Sequence, residues 1–124
     1  MAAPHVSIAI VGAGLGGLVL ARVLQRHGVD ATLFELDPAR GARGQGGVLD
    51  IHEQSGQLAL RAAGLYEAFC GLTHPQGEAV RVLDKTGKVF IDHAPRAEGG
   101  GRPEIDRTVL RDLLISSLDP GRIA

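Results

Sequence analysis

Cysteine and aromatic residues are scarce in this chain. The sequence has one cysteine, one methionine, no tryptophan and an aromatic content of 3%. Cys70 cannot form an intramolecular disulfide, and it has no cysteine or histidine neighbours at metal-ligand spacing, which excludes a disulfide scaffold or a zinc module. We expect Cys70 to be a small buried residue in a protein of a reducing compartment.

The chain also lacks a strong net charge and a long apolar run. Its formal net charge is −1, so the charge surplus of nucleic-acid or membrane-surface binders is missing. No apolar run approaches the roughly 18 residues of a membrane span. The first five residues lack the basic start and apolar core of a signal peptide. These absences predict a cytoplasmic protein that binds neither nucleic acid nor membrane.

The length of 124 residues limits what the chain can contain. One modest core can form at this size, but a complete dinucleotide-binding domain and a substrate domain need more residues. Residues 119–124 have the pattern of a helix stop followed by the start of a new strand. We therefore expect the N-terminal portion of a larger domain.

Glycine is abundant, with 18 residues, and three of them form a motif. Gly12, Gly14 and Gly17 have G-x-G-x-x-G spacing, directly after the apolar run 6–11 and before the amphipathic stretch 15–27. The first glycine permits a sharp turn, the second lets the backbone approach a pyrophosphate, and the third lets the helix lie close to the strand. The pattern predicts a dinucleotide-binding loop, with a purely structural glycine loop as the alternative.

Glu35 completes this motif. It ends a second apolar run, residues 31–35, about 20 residues beyond the glycines, where a carboxylate can accept hydrogen bonds from ribose hydroxyls. Its charge would repel a ribose 2′-phosphate, so the sequence favours FAD or NAD over NADP at this position. The helix between the two apolar runs predicts a right-handed parallel βαβ unit.

A second helix and a hairpin are predicted next along the chain. Ser55 is expected to be the N-cap of the helix, and Gly64 its C-terminal cap. The apolar side of this helix would be formed by Leu58, Ala59, Ala62 and Ala63. Residues 79–83 and 88–91 flank a turn and predict an antiparallel hairpin, which we expect at the edge of a substrate domain.

Residues 94–103 have the composition of a flexible connector, and a last helix is predicted to begin near Asp106. The apolar stripe of that helix would be Val109, Leu110, Leu113, Leu114 and Leu118. The predicted fold class is therefore α/β: the N-terminal part of a Rossmann-like domain, with a parallel βαβ unit and an antiparallel hairpin insertion.

Several sequence blocks together resemble one enzyme family. In chain order they are GAGLGG (12–17), FE (34–35), RGQGGVLDIH (43–52), SGQ (55–57), AAGL (62–65), PEIDR (103–107) and LR (110–111). Over residues 6–118 the chain resembles the single-component FAD-dependent aromatic hydroxylases, and it is most similar to the tetracycline-degrading flavin monooxygenases. The resemblance covers only the N-terminal part of such an enzyme and implies that the Rossmann-like unit binds FAD.

The resemblance implies which residues contact the cofactor: Gly12, Gly14, Leu15, Gly17, Glu35, Arg43, Asp50 and Arg107. The glycine loop would hold the FAD pyrophosphate, and Glu35 would bind the adenosine ribose. Arg43 and Asp50 would reach the ribityl and phosphate region on the flavin side, where Arg107 would bind as well. Arg111 is a weaker candidate.

Other interpretations of these residues stay open. Arg43 and Arg107 could be solvated charges beside helix ends, and Asp50 could be a turn residue. His52 has no identifiable partner acid or nucleophile, so we expect a structural or surface histidine. Tyr66 is expected to pack against a helix. The sequence therefore predicts neither a catalytic side chain nor a metal site in this segment.

The activity that the resemblance implies is that of an FAD-dependent monooxygenase. NADPH or NADH would reduce FAD, and one oxygen atom of O₂ would pass to a bound small aromatic or polyketide-like substrate. Close relatives often carry arginine directly after the ribose-binding acid, a residue thought to help with NADPH. This chain has Leu36 there, which leaves open how the nicotinamide cofactor docks.

Two further functions remain as alternatives. The first is an NAD-dependent oxidoreductase with the same fingerprint, although Arg107 and the segment 43–50 argue against it. The second is a non-catalytic half of a split flavoprotein that needs a complementary polypeptide or self-associates. In either flavoprotein case, we expect the 124-residue chain by itself to be inactive.

Overall fold

Short strands alternate with helices in the computed structural model, which describes residues 6–37, 46–74, 79–94 and 101–124. Within these residues the elements are β1 (Ala9–Val11), α1 (Leu15–Arg26), β2 (Thr32–Phe34), β3 (Val48–Asp50), a π-helix (Glu53–Gln57), α2 (Leu58–Ala62), α3 (Tyr66–Cys70), β4 (Val80–Leu83), β5 (Val89–His93), β6 (Glu104–Asp106) and α4 (Arg107–Ser116). The predicted α/β class is confirmed.

The parallel unit β1–α1–β2 forms the base of the fold. Ile10 of β1 lies opposite Leu33 of β2 in parallel register, and both side chains are buried. The strands are shorter than the predicted runs 6–11 and 31–35. Helix α1 is followed by Gly28, whose φ of +69° lets the chain reverse toward β2. The predicted βαβ unit and its glycine stop are confirmed.

The C-terminal residues pair with the second edge of β2 through an isolated bridge. Ile123 forms a parallel bridge with Leu33. The N–H of Leu33 donates to the Arg122 carbonyl at 2.8 Å, and the N–H of Ala124 donates to the Leu33 carbonyl at 2.8 Å. The predicted start of a new strand corresponds to this single bridge beside β2, at the position that a third strand takes in a doubly wound sheet.

Helix α4 packs against α1. Its predicted apolar stripe is buried or partly buried: Val109, Leu110, Leu113, Leu114 and Leu118. The Ser117 carbonyl accepts hydrogen bonds from Arg22 Nη1 at 2.8 Å and from Gln25 Nε2 at 3.2 Å. Because the last carbonyls of a helix lack donors within the helix, these α1 side chains stabilise the end of α4 and fix its position.

The helices of this fold are short. Helix α1 has 12 residues and α4 has 10. No helix among the described residues has the length and the apolar composition needed to cross a membrane.

The prediction that Ser55 caps the second helix is wrong. Ser55 lies inside the π-helix, whose N-cap is His52, and α2 continues directly from that π-helix. The buried side chain of Gln57 donates from Nε2 to the Ile51 carbonyl at 2.9 Å. This bond ties the last residue of the π-helix to Ile51, two residues before the π-helix begins, and the helical turn starts earlier than a cap at Ser55 would place it.

The apolar side of α2 also differs from the prediction. Leu60 and Ala63 are buried, whereas Leu58 is exposed. The wider turn of the π-helix places one extra residue in each hydrogen-bonded ring, which rotates the following side chains relative to a regular helix. Gly64, predicted as the C-terminal cap, follows α2 with a φ of +69°.

Cys70 is exposed, so its prediction as a buried residue is wrong. Its neighbour Phe69 is fully buried and occupies the core side of α3. Successive helix positions are about 100° apart, and Cys70 therefore points away from the core. Tyr66 packs in α3 as predicted, with its ring centre 6.1 Å from that of Phe69.

Two antiparallel ribbons complete the described structure. β3 pairs with β6, with Leu49 opposite Ile105, and β4 pairs with β5 as the predicted hairpin. β6 was not predicted, because three residues are too few to show strand alternation. It follows the predicted connector 94–103, of which residues 95–100 lie outside the described residues. The expected place of the hairpin in a substrate domain stays a prediction.

Gly17 allows α1 to lie close to β1, which yields a stability prediction. A Cβ at this position would overlap the carbonyl oxygen of Gly12 and lie 3.4 Å from Cγ2 of Ile10. We expect Gly17→Ala to lower the free energy of unfolding by about 1–3 kcal/mol, the usual cost of overpacking. Gly16→Ala is the matched control, since no described atom lies within 4 Å of its added Cβ. Equal denaturation midpoints for the two variants would contradict the close packing.

Candidate dinucleotide-binding site

The glycine loop joins β1 to the N-terminus of α1. Gly12 has a φ of +97°, a conformation that residues with a side chain rarely adopt. Its N–H donates to the Phe34 carbonyl at 2.8 Å, which carries the pairing of β1 with β2 one step into the loop. The loop is therefore a sharp turn anchored on the end of β2.

Gly14 is the N-cap of α1, with extended backbone angles of −71° and 172°. No described atom lies within 4 Å of a Cβ built at this position. The N–H groups of the first helical turn, beginning with Leu15, have no carbonyl partner within the helix. Together with the partial positive charge of the helix N-terminus, they make a cradle that suits a pyrophosphate and that a larger side chain at Gly14 would enter.

Glu35 follows β2, and its carboxylate reaches back to the glycine loop. Oε2 accepts a hydrogen bond from the Ala13 N–H at 2.6 Å, and Oε1 accepts one from the Asp37 N–H at 2.9 Å. The contact with the loop is an additional feature that the sequence did not reveal. A carboxylate has about four acceptor positions, so Glu35 can still accept hydrogen bonds from ribose hydroxyls.

Backbone hydrogen bonds lower the pKa of Glu35 below its ordinary value. The N–H of Asp37 is the main cause, followed by that of Ala13, while desolvation acts in the opposite direction. The N–H of Leu36 and the positive charge of Arg111 lower this pKa further. Glu35 is therefore ionised at neutral pH, which suits an acceptor of hydroxyl hydrogen bonds.

Arg111 reaches the loop from α4. Its Nε donates to the Ala13 carbonyl at 3.2 Å, across a sequence separation of 98 residues. The sequence suggests Arg111 only as a weak candidate for cofactor contact, whereas the structure places it against the protein's own backbone. No sequence spacing could have revealed this contact, because it depends on how α4 packs against α1.

Asp50 and Arg107 lie on elements next to the loop-bearing unit. Asp50 is exposed at the end of β3, opposite Glu104 of β6. Arg107 begins α4, and its N–H donates to the Gly47 carbonyl at 3.0 Å. Arg107 is one helical turn before Arg111, so both lie on the same face of α4. Arg107 and Arg111 thus share a face of α4, and the roles of Arg107 and Asp50 in binding a cofactor stay predictions.

The structure gives the positions of two of the remaining candidate site residues, Leu15 and His52. Leu15 is the first residue of α1, and its side chain is half-buried. Its N–H is available at the loop because the first turn of a helix has no carbonyl partner for it. Arg43 lies outside the described residues. His52 is exposed, as expected for a surface histidine. Among the described residues, no group of three histidine, cysteine, aspartate or glutamate side chains could hold a metal ion.

Comparison with known proteins agrees with this geometry. Residues 10–57 match a family model described as an NAD(P)-binding Rossmann-like domain. Monooxygenase penA of Penicillium thymicola is 40% identical over 121 residues, which cover 94% of this chain and 27% of penA. Monooxygenase asqM of Emericella nidulans is 39% identical over 122 residues, and the chain spans about a quarter of the length of penA and of asqM.

Solved structures share the fold. A protein of Photorhabdus luminescens, described as an FAD-containing monooxygenase, matches with a TM-score of 0.76 and 26% identity over 97% of this chain and 30% of its own. The tetracycline destructase Tet(51) matches with a TM-score of 0.60 and 24% identity over 94% of this chain and 28% of its own. At that identity, Tet(51) shows similarity of fold alone.

These findings define a Rossmann-like unit, which residues 10–57 share with an NAD(P)-binding family model. More particularly, the sequence and fold of the chain are similar to those of the N-terminal part of FAD-dependent monooxygenases. The resemblance recognised from the sequence blocks is confirmed, and FAD is the cofactor of the relatives so described.

The lowered pKa of Glu35 predicts how pH affects the loop. The stabilisation from ionised Glu35 is fully present above its ordinary pKa in the unfolded chain, and it is lost as pH falls through the lower pKa of the folded state. We expect the stability difference between the wild type and Glu35→Gln to be constant near neutral pH and to shrink in acid. Denaturation curves across this pH range measure it. A difference that grows on acidification would contradict the assigned hydrogen bonds.

Proposed function

We propose that this chain is the N-terminal, cofactor-binding part of an FAD-dependent monooxygenase. The observation that carries the proposal is the open cradle at Gly14, with the Glu35 carboxylate directly beside it. An adenosine diphosphate group needs backbone N–H donors for its phosphates and an acceptor for its ribose hydroxyls. The N–H donors of the first turn of α1 and the Glu35 carboxylate lie together at one end of the sheet.

The residues of the chain fit the adenosine and pyrophosphate half of FAD. Gly12 shapes the loop, Gly14 keeps the cradle open, and Leu15 supplies a first-turn N–H. Gly17 lets the helix dipole lie close behind the phosphates. The charge of Glu35 favours a ribose with free hydroxyls over one with a 2′-phosphate. We assign the adenosine ribose to Glu35 on this basis.

The flavin-side assignments depend on three residues. Arg107 lies one turn from the loop contact of Arg111 and supplies a positive charge for the phosphate or ribityl part of the cofactor. Asp50 is exposed on β3 and would accept hydrogen bonds from the ribityl hydroxyls. Arg43, outside the described residues, would bind in the same region. These side chains bind and orient the cofactor.

A bound flavin would supply the chemistry, namely hydride acceptance from NADPH or NADH and activation of O₂ for oxygen transfer. The described residues do not need to act as acid or base in that reaction; their task is to hold the cofactor in place. We propose a small aromatic or polyketide-like substrate, and a cytoplasmic enzyme. The similarity to the monooxygenases penA and asqM along most of this chain supports the reaction class.

An NAD-dependent oxidoreductase is the second candidate. The match of residues 10–57 to a model described as NAD(P)-binding favours it, because the same loop binds either dinucleotide. The two functions differ in a simple property: a flavoprotein purifies with a yellow chromophore, whereas an NAD enzyme does not. The absorption spectrum of the purified protein therefore separates them.

The open cradle predicts the effect of a side chain at Gly14. We expect Gly14→Val in the full-length protein to abolish FAD retention, because a branched side chain would occupy the space of the pyrophosphate. Gly71→Val is the matched control, since its added Cβ meets only ordinary contacts, the nearest 3.6 Å away, at the far end of α3. Flavin absorbance per polypeptide measures both. A Gly14→Val protein with stoichiometric flavin would overturn the cradle assignment.

The exposed apolar surface predicts association of the 124-residue chain. Val11 and Leu36 are 88% and 89% exposed, and an apolar groove of about 490 Å³ lies along α1. Apolar surface of this kind favours contact with another polypeptide or with a second copy. Alone, the chain is expected to self-associate and to show no substrate hydroxylation with added FAD and NADPH.

Sedimentation velocity tests this association with a matched pair of variants. Leu20 lines the groove and is 48% exposed, whereas Leu58 is 57% exposed and does not line it. Leu20→Lys should shift the chain toward the monomer, and Leu58→Lys should leave its size distribution unchanged. A wild-type monomer that hydroxylates aromatic substrates at ordinary enzymatic rates would refute the prediction.

A further inference from the structure

We infer that Arg111 and Glu35 are a positioning pair that fixes the Ala13 peptide groups, and with them the phosphate loop, before the cofactor binds. This inference rests on the proposed function. The N–H of Ala13 donates to Glu35 Oε2 at 2.6 Å, and the carbonyl of Ala13 accepts from Arg111 Nε at 3.2 Å. Both polar backbone groups of one loop residue are therefore held by charged side chains.

The position of Ala13 makes these two bonds important. It lies between Gly12 and Gly14, and glycines give the backbone more conformational freedom than any other residue. Ala13 itself is only 2% exposed. Fixing the single residue between two glycines restricts the peptide planes on both sides of it, and this lowers the entropy that binding would otherwise have to remove.

The bond from Arg111 also determines where the Gly14 N–H points. The Ala13 carbonyl and the Gly14 N–H belong to one trans peptide, in which they point in opposite directions. A guanidinium that holds the carbonyl toward α4 therefore turns the Gly14 N–H away from α4. No described atom lies within 4 Å of a Cβ built at Gly14, so a phosphate oxygen has room there to accept this hydrogen bond.

Helix α4 is itself fixed against α1, so Arg111 has a rigid support. Arg22 and Gln25 of α1 hold the Ser117 carbonyl at its C-terminal end. On the other side, the positive charge of Arg111 acts on Glu35 and lowers its pKa. The two members of the pair are thus linked through Ala13 and through their opposite charges. A residue that only contacted the cofactor would not organise the loop in the flavin-free protein.

Hydrogen–deuterium exchange of the flavin-free protein tests this role without any cofactor. We expect Arg111→Met, which keeps an unbranched side chain but removes every donor, to raise deuterium uptake in the peptide that covers the loop 12–17. Uptake in β2 should stay unchanged. The dissociation constant of FAD should rise by about tenfold or more, the cost of a lost charged hydrogen bond. Arg111→Lys should restore part of the protection, because an ammonium can donate to the same carbonyl.

Arg107→Met is the matched comparison on the same face of α4. It should weaken FAD binding without changing uptake in the loop. If Arg111→Met behaves like Arg107→Met, with weaker FAD binding and normal loop exchange, Arg111 is a direct cofactor contact and the inference is overturned. If the wild-type protein binds no FAD, the proposed function fails, while the loop exchange of the variants still decides the positioning role.

Glu35→Gln provides a second, independent variant in case Arg111→Met loses the protection of α4 as a whole. The amide keeps one acceptor oxygen but loses the other and the negative charge, and α4 is untouched. Loop uptake should rise in this variant with α4 still protected. Unchanged loop uptake in Glu35→Gln would overturn the inference by itself.

Discussion

The close approach of α1 to β1 at Gly17 is the constraint on which the rest of the site depends. A carbonyl oxygen, that of Gly12, occupies the space where any other residue would have its Cβ. Only with this contact can the helix begin immediately after the strand, with its free N–H groups at the end of the sheet. The turn at Gly12, the cap at Gly14 and the cradle follow from that approach.

β2 connects this loop to the rest of the fold. It pairs with β1 on one edge and with the Ile123 segment on the other, and the residue after it, Glu35, holds the loop through Ala13. The Glu35 carboxylate thus helps to build the loop. In the proposed function, the same charge also selects a ribose with free hydroxyls.

Some of the described segments are stabilised by tertiary contacts, and others only by local ones. The βαβ unit and the C-terminal strand segment are joined by backbone hydrogen bonds and a shared core. The hairpin β4–β5 is exposed along its whole length, so its stability in the described part of the chain comes from its own pairing and its turn. There Asp84 accepts hydrogen bonds from Thr86 and from the Lys88 N–H. The hairpin is thus a local structure, and the dinucleotide loop is a tertiary one.

Local patterns in the sequence were sufficient to predict the loop, α1, the hairpin and the apolar stripe of α4. Each of these depends on residues close together in the chain: glycines that permit particular backbone angles, and apolar residues at helical or strand spacing. The prediction of Ser55 as an N-cap was wrong because the π-helix before α2 is held by the buried side chain of Gln57. The prediction for Cys70 was wrong because a five-residue helix has too little pattern to show which side faces the core.

Sequence alone thus determined that a strand, a glycine turn and a helix would meet at the residues that form the loop. Three glycines at the right spacing permit the required backbone angles and close packing, and one acid follows the second strand. Only the tertiary structure decided how that loop is held. The contact of Arg111 with Ala13 joins residues 98 positions apart, and it exists because α4 packs against α1. Packing of this kind depends on the shapes and volumes of side chains from distant segments, and local spacing in the sequence does not predict it.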